Sequence, residues 1–216
     1  MANVNAPFGL MPIGNIGSGA PSTGEMAPIT IAYNDTTKIY RGDPVKKLST
    51  GFCAQWSAGT AVSQLAGIFW GCEYLSSSQG KKVYNNFWPG SDVASTAQNT
   101  ILGWVIPCNL AVPGTFLVQS DSTGVAFADV GQNIDVALGT GSTLIGKSGC
   151  YLDVSTLNTT ATLPFRIKGL YGGVPGAGGS MGIQPGDTGP YSGSATGAYN
   201  WVLVQANVSG AGSTGI

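Results

Sequence analysis

The sequence predicts an all-β protein, built as a single β-barrel or a jelly-roll-like β-sandwich. Three observations support this fold class. Short runs rich in valine, isoleucine and aromatic residues recur along the chain, and 34 glycines and 12 prolines interrupt it. Charged residues make up 9% of the sequence, against about 25% in an ordinary soluble domain. Long helices need uninterrupted stretches of alanine, glutamate and lysine, which this chain does not offer.

Ten candidate strands follow one another along the chain, each an apolar or alternating run bounded by turn residues. They cover residues 29–33, 44–48, 68–70, 82–84, 101–106, 115–118, 125–127, 134–136, 163–170 and 201–204. Residues 165–168 alternate Phe-Arg-Ile-Lys, which predicts a half-exposed strand. Residues 201–204 are apolar on both faces and should be central. Glycines in the connections 48–52 and 121–125 predict two hairpins, because glycine adopts the positive φ of short loops.

The chain is expected to form one β domain over residues 26–208, with three segments of different character. Residues 1–25 contain isolated apolar residues without a period, which predicts an extended arm that needs a surface to lie on. Residues 172–198 form a glycine-rich insertion loop, longer than compact domains normally contain. Residues 209–216 form a flexible tail. Contacts with other chains are the expected role of such segments, because ordering them alone costs much entropy.

Composition excludes several classes of protein. Nine basic residues and a net charge of −1 cannot form a nucleic-acid surface. No run of 18 apolar residues exists, so no membrane span is predicted, and the first residues lack a secretory signal, which predicts folding in the cytoplasm. The four cysteines are widely spaced, which favours buried free thiols over disulfides or a zinc site. So low a charge predicts a component of an assembly.

Catalytic residues are scarce, and the sequence predicts neither an enzyme nor a cofactor or metal site. Without histidine there is no Ser-His-Asp or Cys-His arrangement, and the aspartates occur singly. Residues 141–148 read Gly-Ser-Thr-Leu-Ile-Gly-Lys-Ser, which matches the phosphate-binding loop. A β-prone segment follows where that loop needs a helix, so a coincidental match is favoured. A nucleotide hydrolase using Lys147 is the enzyme alternative.

Aromatic and basic residues are the remaining candidates for binding. Most of the five tryptophans lie in apolar runs and are expected in the core. Phe87 and Trp88 lie in a loop-like segment and could be exposed to a partner. A glycan-binding head or tail fibre module that uses Trp88 is therefore an alternative function. Arg41 belongs to a group of cations that is either a solvated face or registers against an acidic neighbour.

Six motifs, spread in order over most of the chain, resemble the cement or decoration proteins of tailed-bacteriophage capsids. They are Met-Ala-Asn-Val-Asn-Ala-Pro-Phe-Gly-Leu-Met-Pro at 1–12, Tyr-Arg-Gly-Asp-Pro-Val at 40–45, Asp-Val-Gly-Gln-Asn-Ile-Asp at 129–135, Gly-Lys-Ser-Gly-Cys-Tyr-Leu-Asp-Val at 146–154, Phe-Arg-Ile-Lys-Gly-Leu at 165–170 and Tyr-Asn-Trp-Val-Leu-Val-Gln-Ala-Asn at 199–207.

This resemblance implies a non-enzymatic virion protein, made in the host cytoplasm, that binds the outer surface of the assembled capsid. It would reinforce junctions between subunits of the major capsid protein. A symmetric homo-oligomer is expected, with a trimer favoured over a dimer. The residues expected at the capsid or partner interface are Phe8, Leu10, Met11, Ile13, Arg41, Phe87 and Trp88.

Overall fold

The computed structural model describes residues 4–14, 26–95, 101–108, 114–171 and 198–207. Within these ranges the chain forms fourteen strands, and its only helical elements are short 3-10 turns. The strands are β1 (Met11–Gly14), β2 (Ala27–Ile29), β3 (Ile39–Tyr40), β4 (Pro44–Lys47), β5 (Cys53–Gln55), β6 (Leu65–Leu75), β7 (Lys82–Asn85), β8 (Phe87–Trp88), β9 (Leu102–Pro107), β10 (Thr115–Gln119), β11 (Asn133–Ala137), β12 (Tyr151–Asn158), β13 (Phe165–Leu170) and β14 (Trp201–Ala206). The all-β prediction is confirmed.

The strands form two six-stranded sheets and a small ribbon. The first sheet has the order β1-β10-β14-β13-β11-β12, and the second has the order β2-β9-β6-β4-β5 with β7 also paired to β6. The ribbon pairs β3 with β8. All of these pairings are antiparallel. Isolated bridges also pair Ile31, which follows β2, with Cys53 of β5, and Ser120, which follows β10, with Leu152 of β12. Neither sheet closes with a continuous ladder, so the sandwich is the observed alternative.

Two apolar clusters hold these layers together. The first cluster joins the first sheet to one face of the second, through residues such as Phe116, Val204 and Ile68. The second cluster lies on the other face of the second sheet and is covered by Ile39 and Trp88 of the ribbon. Burial of large apolar side chains contributes about 1.5–3 kcal/mol each, so these two clusters are the main source of stability.

Strand β6 serves both clusters because successive side chains point to opposite faces. Ile68 belongs to the first cluster and Phe69 to the second. The register against β9 shifts between Phe69 and Gly71, so Cys72 joins Phe69 in the second cluster. Trp70 is left half-buried at the margin of the first cluster. This bulge places an indole at the surface where the two sheets meet.

Of the individual hairpins and strands predicted from the sequence, some are confirmed and others are wrong. The hairpin at 48–52 is confirmed, because Gly51 has φ +85° and its N–H donates to the Leu48 carbonyl at 2.9 Å between paired strands β4 and β5. The predicted hairpin at 121–125 is wrong. The chain there passes into a 3-10 turn, Phe127–Asp129, and β11 then pairs with β12 and β13. The predicted strand at 125–127 is wrong for the same reason.

The prediction for 201–204 is confirmed, since β14 lies between β10 and β13.

Residues 8–14 belong to the sandwich. Phe8 and Leu10 are buried, and β1 pairs with β10 in the first sheet. The predicted extended arm over 1–25 is therefore wrong for residues 8–14, where Phe8 and Leu10 are buried and β1 is an edge strand of the first sheet. Residues 1–3 and 15–25 lie outside the described residues, as do 172–197 of the predicted insertion loop and the predicted tail at 209–216.

The four cysteines are buried and unpaired, as predicted. Burial raises the pKa of the Cys72 and Cys108 thiols to about 12. Burial also raises the pKa of the Cys53 and Cys150 thiols. A protonated thiol is a poor nucleophile and a poor metal ligand, so these residues behave as small apolar side chains of the core.

Candidate interaction surface

Three segments from distant parts of the sequence are joined where the two sheets meet. The Gly9 N–H donates to the Cys150 carbonyl at 3.2 Å, and the Leu10 N–H donates to the Gly42 carbonyl at 2.9 Å. The Arg41 N–H donates to the Gly146 carbonyl, and the Arg41 carbonyl accepts from the Ser148 N–H, both at 3.0 Å. Residues 8–10 are therefore held between residues 41–42 and 146–150.

The buried carboxylate of Asp43 holds these segments together through hydrogen bonds. Asp43 accepts hydrogen bonds from the Ser148 hydroxyl at 2.5 Å, the Tyr40 N–H at 2.8 Å and the Gln55 amide at 2.9 Å. The Ser148 hydroxyl oxygen in turn accepts from the Cys150 N–H at 2.8 Å. Burial raises the pKa of Asp43, and the three hydrogen bonds partly oppose that shift. A network with every oxygen paired specifies one arrangement of the segments.

The same segments line a surface pocket of about 300 Å³. Its lining combines apolar and cationic side chains from four parts of the sequence, which are Phe8, Leu10, Met11, Arg41, Gly42, Trp70, Ile145 and Lys147. The Arg41 guanidinium lies 3.6 Å from the centre of the Trp70 ring. The Lys147 ammonium lies 5.3 Å from the centre of the Phe8 ring. Phe8 is itself held by an edge contact with Trp201 at 5.2 Å.

Exposed apolar side chains lie on the two segments that contribute Met11 and Ile145 to the pocket. Leu144 is 93% exposed and Ile145 is 60% exposed, at the tip of the turn 141–148. Met11 and Ile13 on β1 are 43% and 46% exposed. We call these four residues, together with Arg41 and Lys147, the junction surface. Contiguous exposed apolar side chains are typical of protein interaction sites, and the two cations add a preference for a negatively charged partner.

The turn 141–148 is not a phosphate-binding loop. The N–H groups of Ser142, Gly146 and Ser148 donate to the carbonyls of Lys147, Ser142 and Arg41. They are therefore not free to hold a phosphate. The Ser148 hydroxyl donates to the buried Asp43. Strand β12 follows the turn, where a nucleotide site requires a helix N-terminus. The geometry of the turn therefore does not match that of a phosphate-binding loop, while the absence of enzymatic activity stays a prediction.

Four of the seven predicted interface residues line the pocket. Phe8 and Leu10 are buried and form its floor, so the expectation that they reach a partner as arm side chains is wrong. Met11 is exposed, and Arg41 is half-buried above Trp70. Ile13 is exposed farther along β1. Whether these residues contact a capsid stays a prediction.

The two aromatic residues of β8 lie away from the pocket. Phe87 is half-buried and stacks on Tyr40 with ring centres 5.7 Å apart. Trp88 is fully buried, its indole N–H donates to the Asp35 carbonyl at 2.9 Å, and its ring contacts the edge of Tyr74. The expectation that Trp88 is exposed is wrong, because β8 pairs with β3 and covers the second cluster.

Sequence reasoning missed three residues of the junction surface, namely Leu144, Ile145 and Lys147 as an interaction residue, and it missed Trp70 in the pocket lining. Two adjacent aliphatic residues inside a turn bounded by Gly141 and Gly146 were the available signal. Short turns are normally polar, so apolar residues at the tip of one point to a partner.

A second pocket of about 450 Å³ adjoins the first and shares Trp70 with it. Its lining is aromatic and amide-rich, with Met26, Trp70, Gly71, Cys72, Tyr84, Asn85, Asn86 and Trp104. Tyr84 is 69% exposed. Flat rings next to side-chain amides can hold a ligand that offers both apolar faces and hydroxyl groups.

Among the residues that the structure describes, no helix has the length and apolar character needed to cross a membrane. The same ranges contain no group of three or more cysteine, aspartate or glutamate residues that could hold a metal ion. Comparisons of the chain with models of protein families, with curated proteins and with solved structures found no match.

Proposed function

We propose that this chain is a structural virion protein that binds the outer surface of an assembled phage capsid and stabilises junctions between major capsid protein subunits. The observation that carries the proposal is the junction surface, where Leu144 and Ile145 project into water beside Arg41 and Lys147. Burial of each aliphatic side chain by a partner would contribute about 1.5–3 kcal/mol. The resemblance to capsid decoration proteins supplies the identity of that partner.

The rigidity of the junction supports a reinforcing role. The exposed tip stands on a base fixed by Gly9, Gly42 and the buried Asp43–Ser148 hydrogen bond. A side chain presented on an ordered base loses little conformational entropy when it is covered. Many copies of one such contact around a shell would add up without any strong individual bond.

Cosedimentation with expanded, undecorated capsids tests this function. Replacing both Leu144 and Ile145 with serine removes two exposed side chains and should leave folding intact. We expect capsid affinity to fall by about a hundredfold or more, since two side chains at about 1.5 kcal/mol each already amount to about 3 kcal/mol, and the rise in capsid melting temperature to disappear. Phe127→Ser is the matched control, because Phe127 is 46% exposed and does not line the pocket.

Saturable binding by the wild-type chain and by Phe127→Ser, with loss in the double variant, is the expected outcome. Failure of the wild-type chain to bind would contradict the proposed function.

Sedimentation velocity of the free protein would decide the oligomeric state, for which a homotrimer is the prediction.

A second candidate function, glycan binding by a head or tail fibre module, is favoured by the aromatic pocket. Trp88 cannot carry it because it is buried, but Trp70, Trp104 and Tyr84 line that pocket beside two asparagines. Surface polysaccharide fragments should then change the tryptophan fluorescence saturably, and Tyr84→Ala should abolish the change. If the chain is a decoration protein without glycan binding, the polysaccharide fragments would change the tryptophan fluorescence of neither the wild-type chain nor Tyr84→Ala.

A further inference from the structure

We propose that the pocket of the junction surface binds an acidic side chain, aspartate or glutamate, from an extended segment of the partner protein. The carboxylate would lie between Arg41 and Lys147, while its aliphatic neighbours cover Met11 and Ile145. This inference rests on the proposed function, because it takes the junction surface to bind a protein. What it adds is the chemistry of the bound segment.

The position of Arg41 carries the first step. Its guanidinium carbon lies 3.6 Å from the centre of the Trp70 ring, and a guanidinium held over an indole keeps its N–H groups available to an acceptor. The described part of the chain offers these groups neither a hydrogen-bond acceptor nor a salt bridge. The backbone of Arg41 is fixed by bonds to Asn86, Gly146 and Ser148. A planar cation held over an indole, with no acceptor among the described residues, suits a bidentate carboxylate.

The pairing of Arg41 with Lys147 is the second step. The two residues are partners in a parallel β-bridge, so their side chains leave the backbone on the same face, and both line the pocket. Like charges on paired residues are destabilising. The carboxylate next along the chain, Asp43, is buried and its oxygens accept three other hydrogen bonds. An anion from outside would relieve the repulsion between the cations.

The lining of the pocket favours a carboxylate on a peptide over a phosphate chain. Phe8, Leu10, Met11 and Ile145 make most of the lining apolar, whereas a site for a nucleic-acid backbone needs an extended cationic groove. The volume of about 300 Å³ is at the small end of ligand pockets. It suits one acidic side chain with part of its neighbours.

The test uses the full chain in two assays. In the first, Arg41→Gln combined with Lys147→Gln is compared with Lys47→Gln combined with Lys168→Gln, which removes the same charge from exposed residues of β4 and β13. We expect the pocket variant to bind expanded capsids about tenfold or more weakly than the control. Its affinity should also depend less on salt between about 50 and about 300 mM NaCl.

In the second assay, two peptides are titrated without capsids: acetyl-Leu-Asp-Leu-amide and acetyl-Leu-Asn-Leu-amide. We expect saturable quenching or enhancement of tryptophan fluorescence with the aspartyl peptide only, and none in the pocket variant. Equal binding of both peptides, or stronger binding of a short thymidine oligonucleotide, would overturn the inference, as would equal capsid affinity of the two charge variants. If the aspartyl peptide binds and wild-type protein ignores capsids, the proposed function fails and the pocket assignment stands.

Discussion

Replacing Gly9 with alanine tests whether the close approach of three segments holds the junction together. Gly9 has φ +76°, and an added Cβ would lie 2.7 Å from the Ser148 Cβ and 2.8 Å from the Gly42 carbonyl oxygen. Gly51 has a similar φ of +85° with no atom within 4 Å of an added Cβ, so Gly51→Ala is the matched control. Both variants bear the backbone strain, and only Gly9→Ala bears the overlap.

The expected losses in the free energy of unfolding follow from these two terms. Alanine in the left-handed region costs about 1–2 kcal/mol, partly offset by the lower entropy of the unfolded chain, so Gly51→Ala should cost about 1 kcal/mol. The overlap at Gly9 adds about 1–3 kcal/mol, as in overpacked cores. Urea unfolding followed by tryptophan fluorescence measures both variants with comparable slopes. Equal losses for the two would refute the close-approach argument.

Three other predictions concern the buried residues. Burial raises the pKa of Asp43, so this group stabilises the fold most at low pH, and its contribution is lost as the pH rises through the raised pKa. The free energy of unfolding of the wild-type chain, relative to that of Asp43→Asn, should therefore fall from acid to neutral pH. A difference in urea midpoints that does not change with pH would contradict this. Cys72 and Cys108, whose thiol pKa is about 12, should resist Ellman's reagent at neutral pH until urea unfolds the chain, whereas reaction of the native protein would show exposed thiols. Trp88→Ala should cost about 3–5 kcal/mol of unfolding free energy because the indole is fully buried and hydrogen-bonded, and a calorimetric melt unchanged from wild type would contradict that burial.

The strand content could be predicted from sequence because glycine, proline and alternating apolar residues act locally. Strand pairing could not. Gly51 and Gly124 both have positive φ and looked alike as hairpin turns. Gly51 joins two paired strands, but Gly124 follows β10, whose neighbours β1 and β14 come from opposite ends of the described chain. Which strand lies beside another depends on long-range burial, which a short sequence window does not contain.

The candidate site was only partly predictable for the same reason. Met11, Ile13 and Arg41 were identified as interface candidates, and the structure exposes the first two and places Arg41 on the pocket wall. Phe8 and Leu10 looked like arm residues because the apolar residues of 1–25 are isolated and follow no period, which is a poor strand signal. The contribution of Lys147 depends on its bridge to Arg41, a contact across more than a hundred residues.

The turn 141–148 shows how one motif can have different meanings in different surroundings. In a nucleotide site its N–H groups point at a phosphate, but here they close the turn and bind Arg41. The exposed residues of the turn include Lys147 of the motif and, at positions that the motif leaves unspecified, Leu144 and Ile145. Exposed aliphatic residues and an adjacent pair of cations both oppose the stability of the free chain. Sequences normally agree with their fold at every level, and departures concentrate at functional sites. The exposed aliphatic residues lie on this turn, and so does Lys147, whose bridge partner Arg41 lies beside it; this is the physical reason to look for the partner at this face.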